Sequence, residues 1–233
     1  MGNYRGITIT AAIGKTFEYC LLDKLNLKSN SPLQFGFTSS LFPIMAGLLI
    51  SEALYEKKLD KENFYITCLD VKSAFDVVRH EILLDKLLDQ NLNPIYWKIL
   101  REVYSDLSLN VKWLDGLSQP FSIKQGVRQG EILSTRLYKI CVQDLLEELE
   151  QNAIGYHLGN IYVGSPACAD DIAFISSDKY EMQTMLNIVS RYAKEHHYLI
   201  HPVKTQLVDC SKTPSNYDWV MNDNKLKITN IWG

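Results

Sequence analysis

Two adjacent aspartates stand between two short apolar runs, and this arrangement constrains the fold more than any other feature of the chain. Ala167–Ala169 precedes Asp170 and Asp171, and Ile172–Ile175 follows them. Short runs of small and β-branched residues around a polar pair are typical of a tight β-hairpin. Two carboxylates at one tip repel each other, and a bound cation relieves that repulsion. The dipeptide alone, however, favours an ordinary Asp-Asp turn without a ligand.

A third aspartate follows another apolar run. Phe64–Leu69 is rich in aromatic and β-branched residues, which predicts a buried strand, and Asp70 stands at its end. If this strand lies beside the hairpin, Asp70 comes close to Asp170 and Asp171. Carboxylate oxygens are the ligands that Mg²⁺ and Mn²⁺ prefer. The three acids are therefore a candidate site for a divalent metal.

Hydrophobic periodicity predicts helices and strands that alternate irregularly. Tight hairpins indicate an antiparallel sheet packed on helices, which is an α+β fold. One hairpin is expected to turn at Asp115-Gly116, and Ser134 is expected to cap the helix that it begins. Helices are predicted over about 43–58, 74–89, 94–106, 134–151 and 179–197, and hairpins over 109–124, 154–162 and 167–175.

Composition excludes several classes of protein. Of the 233 residues, 46% are hydrophobic and 22% are charged, which is enough for a sizeable globular core. Five cysteines are scattered singly, so neither a zinc ribbon nor a disulfide framework is indicated. The longest apolar run, Leu41–Ile50, is too short to cross a bilayer. We therefore expect an intracellular protein, nuclear or cytoplasmic, that is not secreted and has no membrane partner.

The net charge of −3 does not exclude a nucleic-acid partner, because the charge is uneven. Eight acidic residues and one lysine lie between Cys141 and Glu181, so the rest of the chain is net positive.

Six short segments of the chain match sequence motifs in a fixed order. No single segment identifies a protein family, but the six in this order are specific. The segments are Asn3–Thr8, Gln34–Phe37, Leu69–Asp76 (D-x-x-x-A-F-D), Gly126–Gly130 with Leu133-Ser134, Ala169–Asp171 (A-D-D) and Lys204-Thr205. With these segments in this order, the chain resembles the reverse transcriptase domain of non-LTR (LINE-type) retrotransposons from animal genomes.

The resemblance implies a right-hand polymerase fold with a palm and partial fingers. It implies a single reverse transcriptase domain over 1–233, with partial fingers at 1–62 and mainly palm at 63–233. A fingers-side hairpin is expected near 109–125. No thumb or endonuclease is expected, which suggests a truncated element.

The resemblance also implies chemistry with two Mg²⁺ or Mn²⁺ ions. Asp70 and Asp170 would be the main ligands, Asp171 an auxiliary ligand, and Val71 a ligand through its carbonyl oxygen. The reaction would be attack of a DNA primer 3′-hydroxyl on the α-phosphate of a dNTP, directed by an RNA template.

Five further residues take roles from the resemblance, and all of them except Arg5 also have a simpler structural interpretation. Lys204 would donate a proton to the leaving pyrophosphate, or be a solvated surface lysine. Arg5 would bind the triphosphate. Phe75 would exclude the ribose 2′-hydroxyl, or be a core phenylalanine. Gln129 and Gly130 would contact the nucleotide and the template, or belong to an ordinary glycine-bracketed loop.

Departures from the family pattern include Cys168 and Glu131. Cys168 replaces an aromatic residue expected beside the primer terminus. Glu131 places a carboxylate where we expect it to repel phosphates. These departures leave open a catalytically inactive relic that at most binds nucleic acid. An RNA-directed RNA polymerase or a cyclase is disfavoured by Ala74–Asp76 and Gln129-Gly130. The sequence does not predict the oligomeric state.

Overall fold

The computed structural model describes residues 6–28, 31–105, 107–213 and 216–230. Its helices are α1 (Ala12–Lys24), α2 (Pro43–Asp60), α3 (His80–Leu88), α4 (Pro94–Tyr104), α5 (Ile132–Gln151) and α6 (Lys179–Glu195). Its strands are β1 (Tyr65–Leu69), β2 (Ser108–Leu109), β3 (Lys112–Trp113), β4 (Gly116–Leu117), β5 (Phe121–Ser122), β6 (His157–Leu158), β7 (Ile161–Tyr162), β8 (Ala167–Cys168), β9 (Asp171–Ser176), β10 (Gln206–Asp209), β11 (Val220–Met221), β12 (Asn224–Lys225) and β13 (Lys227–Asn230).

The chain divides into two compact units, which are described separately. The first unit comprises residues 1–29 and 75–141, and the second comprises residues 30–74 and 142–233. The boundary that the sequence suggested between fingers and palm stays a prediction. Among the described residues, no helix combines the length and the apolar character needed to cross a membrane.

The second unit is built on a five-stranded sheet with the order β13-β10-β1-β9-β8. β1 is central and runs antiparallel to both β10 and β9, and β8 is antiparallel to β9. Only the outer pair β10 and β13 is parallel. The expected α+β fold with an antiparallel sheet on helices is confirmed.

Helices cover the sheet of the second unit with apolar side chains. Ala53 of α2 belongs to a buried cluster with Phe64 and Ile175. α6 packs on β9 and buries Met182 and Leu186 completely. This burial supplies the hydrophobic stabilisation that holds β9 and β1 side by side. The same strands position the acids at their ends.

The first unit contains α1, α3, α4, the strands β2 to β5 and the start of α5. α3 packs against α4, and Leu83, Leu87 and Leu100 between them are fully buried. The Trp97 indole Nε1 donates to the carbonyl oxygen of Leu84 at 3.0 Å. His80, the first residue of α3, contacts the loop that precedes α5 through the Gly126 carbonyl oxygen.

The helix predicted over 74–89 begins only at His80. The carbonyl oxygens of Phe75 and Val78 accept from the N–H groups of Val127 and Gly126, at 2.8 and 2.6 Å. A helix would need those carbonyls for its own bonds four residues on. The sequence prediction was wrong for this segment because long-range hydrogen bonds outweigh the local helical pattern.

Three smaller differences concern an additional helix, the start of a helix and the tip of a hairpin. The helix α1 was not predicted from the sequence. α5 begins at Ile132, so Ser134 lies inside its first turn and is not its cap. The hairpin tip is Leu114-Asp115 instead of Asp115-Gly116, because Trp113 pairs with Gly116. Backbone and side-chain hydrogen bonds between Val111 and Ser118 fix this pairing.

The other predicted elements are confirmed within three residues. α2 and α4 begin at the predicted prolines, and the hairpin β6–β7 turns at Gly159-Asn160. Asp178 caps α6 by accepting from the N–H groups of Tyr180 and Glu181, each at 2.8 Å. Such caps are worth about 1 kcal/mol.

Candidate functional site

The hairpin of β8 and β9 carries two of the predicted acids at its tip. Cys168 pairs with Asp171, so Ala169 and Asp170 form the two-residue connection. Ala169 has φ = 61°, a left-handed value that costs a non-glycine residue on the order of 1 kcal/mol. Asp170 is half-buried at the turn, and Asp171 is the exposed first residue of β9.

The third acid lies at the same edge of the sheet. Leu69 is the last residue of β1 and pairs with Ile172, so the same register brings Asp70 level with Asp171. The backbone of Asp70 is held on both sides. Its N–H donates to the Thr205 hydroxyl at 3.2 Å, and its carbonyl oxygen accepts from the N–H of His201 at 2.9 Å. The structure thus brings Asp70, Asp170 and Asp171 together at adjacent strand ends.

A buried glutamine fixes the strained turn. The Gln34 side chain accepts from the Ala169 N–H at 2.8 Å and donates to the Ala169 carbonyl oxygen at 3.3 Å. The same amide oxygen accepts from the Gly36 N–H at 2.9 Å. A Cβ atom on Gly36 would lie 2.1 Å from the Ala169 nitrogen. The segment Gln34–Gly36 therefore holds the turn at Ala169 in place, and a glycine is required at position 36 for the close approach.

Lys204 lies beside Asp70. Its ammonium nitrogen is 3.6 Å from Asp70 Oδ1, with side chains 61% and 30% exposed. The turn that carries Lys204 is organised by His201. The His201 Nδ1 accepts from the N–H groups of Val203 and Lys204 at 3.3 and 3.4 Å. This pattern requires an unprotonated Nδ1.

The candidate ligand atoms at this edge of the sheet are of the type that a hard divalent cation prefers. The candidate ligands are the carboxylates of Asp70, Asp170 and Asp171 and the carbonyl oxygen of Val71, all of them oxygens. Lys204 shows that a positive charge is attracted to Asp70. Within the described ranges, no three His, Cys, Asp or Glu side chains are gathered closely enough to form a ready-made metal site. The carboxylates would therefore have to close on a cation.

Two cysteines lie near the acids. Burial and then Asp171 raise the pKa of the Cys68 thiol, and burial, Asp171 and Asp170 raise that of Cys168. Both thiols are thus held in the uncharged form near neutral pH. A neutral Cys168 adds no negative charge to the acid edge.

In the first unit, the loop Gly126–Gly130 is bound to the segment that follows Ala74. Besides the two backbone bonds to Phe75 and Val78, the His80 ring donates from Nε2 to the Gly126 carbonyl oxygen at 2.8 Å. Gly126 has φ = 98°, and a Cβ there would lie 3.1 Å from the Asp76 carbonyl oxygen. These contacts leave the loop little freedom, which differs from an ordinary mobile glycine loop.

The predicted nucleotide contacts lie on this loop and beside it. The side-chain amide of Gln129 donates to Asp76 Oδ1 at 3.0 Å. The backbone carbonyl oxygen of Gln129 accepts from the Thr8 N–H at 3.1 Å. Gly130 is exposed with φ = 97°. The half-buried Phe75 ring stacks on fully buried Tyr138 at 4.5 Å between centroids. Tyr138 therefore fixes the plane of the Phe75 ring.

Glu131 does not behave as the sequence suggested. The residue is 3% exposed, and its carboxylate lies 2.7 Å from the Nε of Arg128. It also accepts a hydrogen bond from the Thr10 hydroxyl. The expectation that Glu131 repels phosphates is wrong, because its charge is neutralised inside the protein.

Sequence reasoning missed several residues that organise the site. Gln34, Gly36 and His201 hold the turns that carry the acids and Lys204, and Glu18 binds Arg128. Gln34 and Gly36 were noticed only as part of a family motif. An acid at Glu18, inside a helix with apolar neighbours, was the one local signal available. Arg5 lies outside the described residues.

The fold has counterparts among solved structures of telomerase. Apo telomerase from Candida tropicalis, truncated from the C-terminal domain, matches with a TM-score of 0.61 and 18% identity. The match covers 86% of this chain and 41% of that one. Telomerase from the same organism in complex with a TWJ fragment of telomeric RNA gives 0.62 and 16%, over 93% and 37%. At these identities the similarity shows the fold alone, which is the palm and fingers of a polymerase.

The family follows from the sequence comparison. The protein-family model described as "Reverse transcriptase (RNA-dependent DNA polymerase)" matches residues 1–220. The chain therefore belongs to this family.

Curated relatives include retrotransposon polyproteins of animals. The type-1 retrotransposable element R2 polyprotein of Nasonia vitripennis is 28% identical over 161 residues, which are 67% of this chain and 15% of that protein. The probable RNA-directed DNA polymerase from transposon BS of Drosophila melanogaster is 26% identical over 216 residues, 87% of this chain and 23% of that protein. The predicted resemblance to non-LTR retrotransposons is confirmed. The chain spans about a quarter or less of the length of these two relatives.

Proposed function

We propose that this chain is an RNA-directed DNA polymerase domain that extends a DNA primer on an RNA template. The observation that carries the proposal is the meeting of Asp70 with Asp170 and Asp171 at adjacent strand ends of a polymerase palm. The reaction is attack of a primer 3′-hydroxyl on the α-phosphate of a dNTP, with release of pyrophosphate.

We assign the metal ligands to Asp70, Asp170, Asp171 and the carbonyl oxygen of Val71. Two Mg²⁺ or Mn²⁺ ions bound there would make the primer hydroxyl more acidic and stabilise charge on the leaving pyrophosphate. The carboxylates supply negative charge at the exposed edge of the sheet, and Gln34 and Gly36 hold the turn at which they meet.

Lys204 is the candidate proton donor to pyrophosphate. In this structure its ammonium is paired with Asp70 at 3.6 Å and is 61% exposed. An exposed ammonium on a short turn can leave this weak pair at little cost. The His201 hydrogen bonds keep the turn, and so Lys204, near Asp70.

Phe75, Gln129 and Gly130 are the candidate nucleotide contacts, and Arg5 is a candidate for the triphosphate. A ring fixed by stacking on Tyr138 cannot swing aside easily, which supports a role in excluding the ribose 2′-hydroxyl. We propose that the domain acts inside the cell, in the nucleus or the cytoplasm, where its nucleic-acid substrates are found.

Primer extension tests the proposal. The wild-type chain is compared with Asp170→Asn on an RNA template with dNTPs and Mg²⁺ or Mn²⁺, and with Glu195→Gln as a matched control. Glu195 is an exposed acid of α6 that pairs with Arg191 at 3.3 Å. We expect extension by the wild type and the control, and a loss of at least about 1,000-fold in Asp170→Asn, since two-metal chemistry needs its ligands.

A catalytically inactive relic is the alternative. Absence of extension in the wild type, with retained binding of an RNA–DNA duplex, would support it and contradict the proposal. A second variant, Phe75→Val, tests the sugar contact. It is expected to accept rNTPs while keeping dNTP extension, and unchanged rNTP rejection would contradict the role of Phe75.

A further inference from the structure

Two carboxylates from distant parts of the first unit share one guanidinium. Glu18 of α1 lies 3.0 Å from the Arg128 Nη2, and Glu131 lies 2.7 Å from its Nε. Both glutamates are 3% exposed. Charged side chains are almost never buried to this degree unless they are paired. The cluster is therefore a built feature of the fold and not a surface ion pair.

Further groups close around this cluster. The Thr10 hydroxyl donates to Glu131, and the Leu133 N–H at the start of α5 donates to Glu18. The buried Tyr104 of α4 lies beside all three charges, and burial raises the pKa of its hydroxyl. The ring of His80 from α3 packs on Tyr104 at 4.9 Å between centroids.

The cluster carries one positive charge for two acids. Leaving an ionised carboxylate buried and uncompensated is costly, so the pair favours keeping one proton. Burial, together with the hydrogen bond and the charge of Glu131, raises the pKa of Glu18 to about 7. Near neutral pH the cluster is thus close to losing the proton that balances it.

Arg128 connects this cluster to the loop Gly126–Gly130. It lies between Gly126 and Gly130, next to Gln129, and Glu131 follows the loop directly. The Gln129 side chain is bound to Asp76, whereas the Arg128 side chain is bound to Glu18. The two neighbouring side chains are therefore anchored to different elements, and the backbone between them is fixed from both.

We propose that Glu18, Arg128 and Glu131 form a positioning lock for the loop Gly126–Gly130, closed when the two carboxylates share one proton. The three residues are positioning residues, since they act on nucleotides only through Gln129 and Gly130. The part of the proposal that concerns nucleotides rests on the proposed function. When the shared proton leaves, two negative charges face one guanidinium and the loop loosens.

The test combines loop protection with kinetics across pH 6 to 9. Amide hydrogen exchange of Val127–Gly130, corrected for the intrinsic effect of pH, is measured without substrate in the wild type and in Glu18→Gln. Glutamine has the shape of a protonated glutamate and cannot ionise. We expect protection in the wild type to fall about 3- to 10-fold as pH rises through 7, and to stay level in Glu18→Gln.

Kinetics give the second readout. We expect the dNTP KM of the wild type to rise over the same pH range with little change in kcat, and the KM of Glu18→Gln to stay level. The control is Glu195→Gln, which should follow the wild type. A role confined to stability would lower the melting temperature without a pH-dependent KM.

Equal pH dependence of loop protection in the wild type and Glu18→Gln would overturn the lock. Because protection is measured without substrate, this result can be told apart from a failure of the proposed function. If no primer is extended but protection behaves as expected, the lock stands and its nucleotide role falls.

Discussion

Asp170 and Asp171 stand at a hairpin tip where both reach solvent, whereas Glu18 and Glu131 are each 3% exposed inside the first unit. Both are pairs of neighbouring carboxylates, but one pair faces solvent and the other is paired with a cation inside the protein. Arg128 is inserted between the buried pair, 3.0 Å from Glu18 and 2.7 Å from Glu131, whereas the exposed pair lies at the end of a hairpin. The difference separates acids that are available to an external cation from acids that are neutralised by the protein.

The surroundings of each pair fit that division. The turn that carries the exposed acids is positioned by a neutral group, the Gln34 side-chain amide, which binds the backbone of Ala169. Such contacts fix geometry without cancelling charge. The buried acids are held by a guanidinium, which cancels charge and fixes the loop at once. The difference between the two regions can be tested by removing the Arg128 cation, the proton on Glu18 or the close approach of Gly36 to Ala169.

Removing the cation should have the largest effect. Arg128→Met leaves two buried carboxylates without a partner, and we expect a loss of about 3–5 kcal/mol in the free energy of unfolding. Urea denaturation measures it. The matched control is Arg191→Met, because Arg191 also joins two acids, Glu148 and Glu195, but on the surface. That change should cost at most about 1 kcal/mol. Equal losses in the two variants would contradict the difference drawn between the regions.

Stability should depend on the proton held by Glu18. Its pKa is about 7 in the folded protein, above its ordinary value of 4.5. A raised pKa gives stability that is fully present below pH 4.5 and is lost as pH rises through 7. Relative to Glu18→Gln, the wild type should lose on the order of 2 kcal/mol between these values. Denaturation at pH 4.5, 6 and 8 checks this, and a pH-independent difference would refute it.

The close approach at the exposed tip can be tested with a single methyl group. Gly36→Ala would place Cβ 2.1 Å from the Ala169 nitrogen, so the turn has to shift. We expect a loss of about 1–3 kcal/mol and a fall in primer extension. Gly47→Ala, in α2 with no atom within 4 Å of the added Cβ, should instead stabilise by up to about 1 kcal/mol. If Gly36→Ala kept full activity, the tip would not need this contact.

The smallest expected effect concerns the turn of Lys204. His201→Leu removes the acceptor for two N–H groups, whereas His201→Asn keeps an acceptor on a shorter side chain. We expect His201→Leu to lose about 1 kcal/mol of stability and to lower kcat less than 10-fold, with most of kcat restored in His201→Asn. Identical kcat values in both variants would show that His201 does not position Lys204.

The exposed region could be predicted from the sequence because its signals are local. The apolar runs around Asp170 and Asp171, and the strand before Asp70, each lie within ten residues. Family motifs then identified the acids as a set. Both the hairpin and the strand order that joins them to β1 are present in the structure.

The buried region could not be predicted because its partners are far apart in the chain. Arg128 meets Glu18 across 110 positions, and nothing local marks either residue as the other's partner. The same distance effect explains the helix that was predicted from position 74. Val127 and Gly126 take the carbonyl oxygens of Phe75 and Val78, which a local pattern does not reveal.

The most direct test of the central claim is a Mn²⁺ titration followed by electron paramagnetic resonance in the wild type, Asp170→Asn and Glu131→Gln. Both substitutions remove one negative charge from a pair of acids. We expect Asp170→Asn to weaken Mn²⁺ binding at least about 10-fold, and Glu131→Gln to leave it unchanged. Unchanged binding in Asp170→Asn, or a loss confined to Glu131→Gln, would contradict the assignment of the exposed acids to the metal.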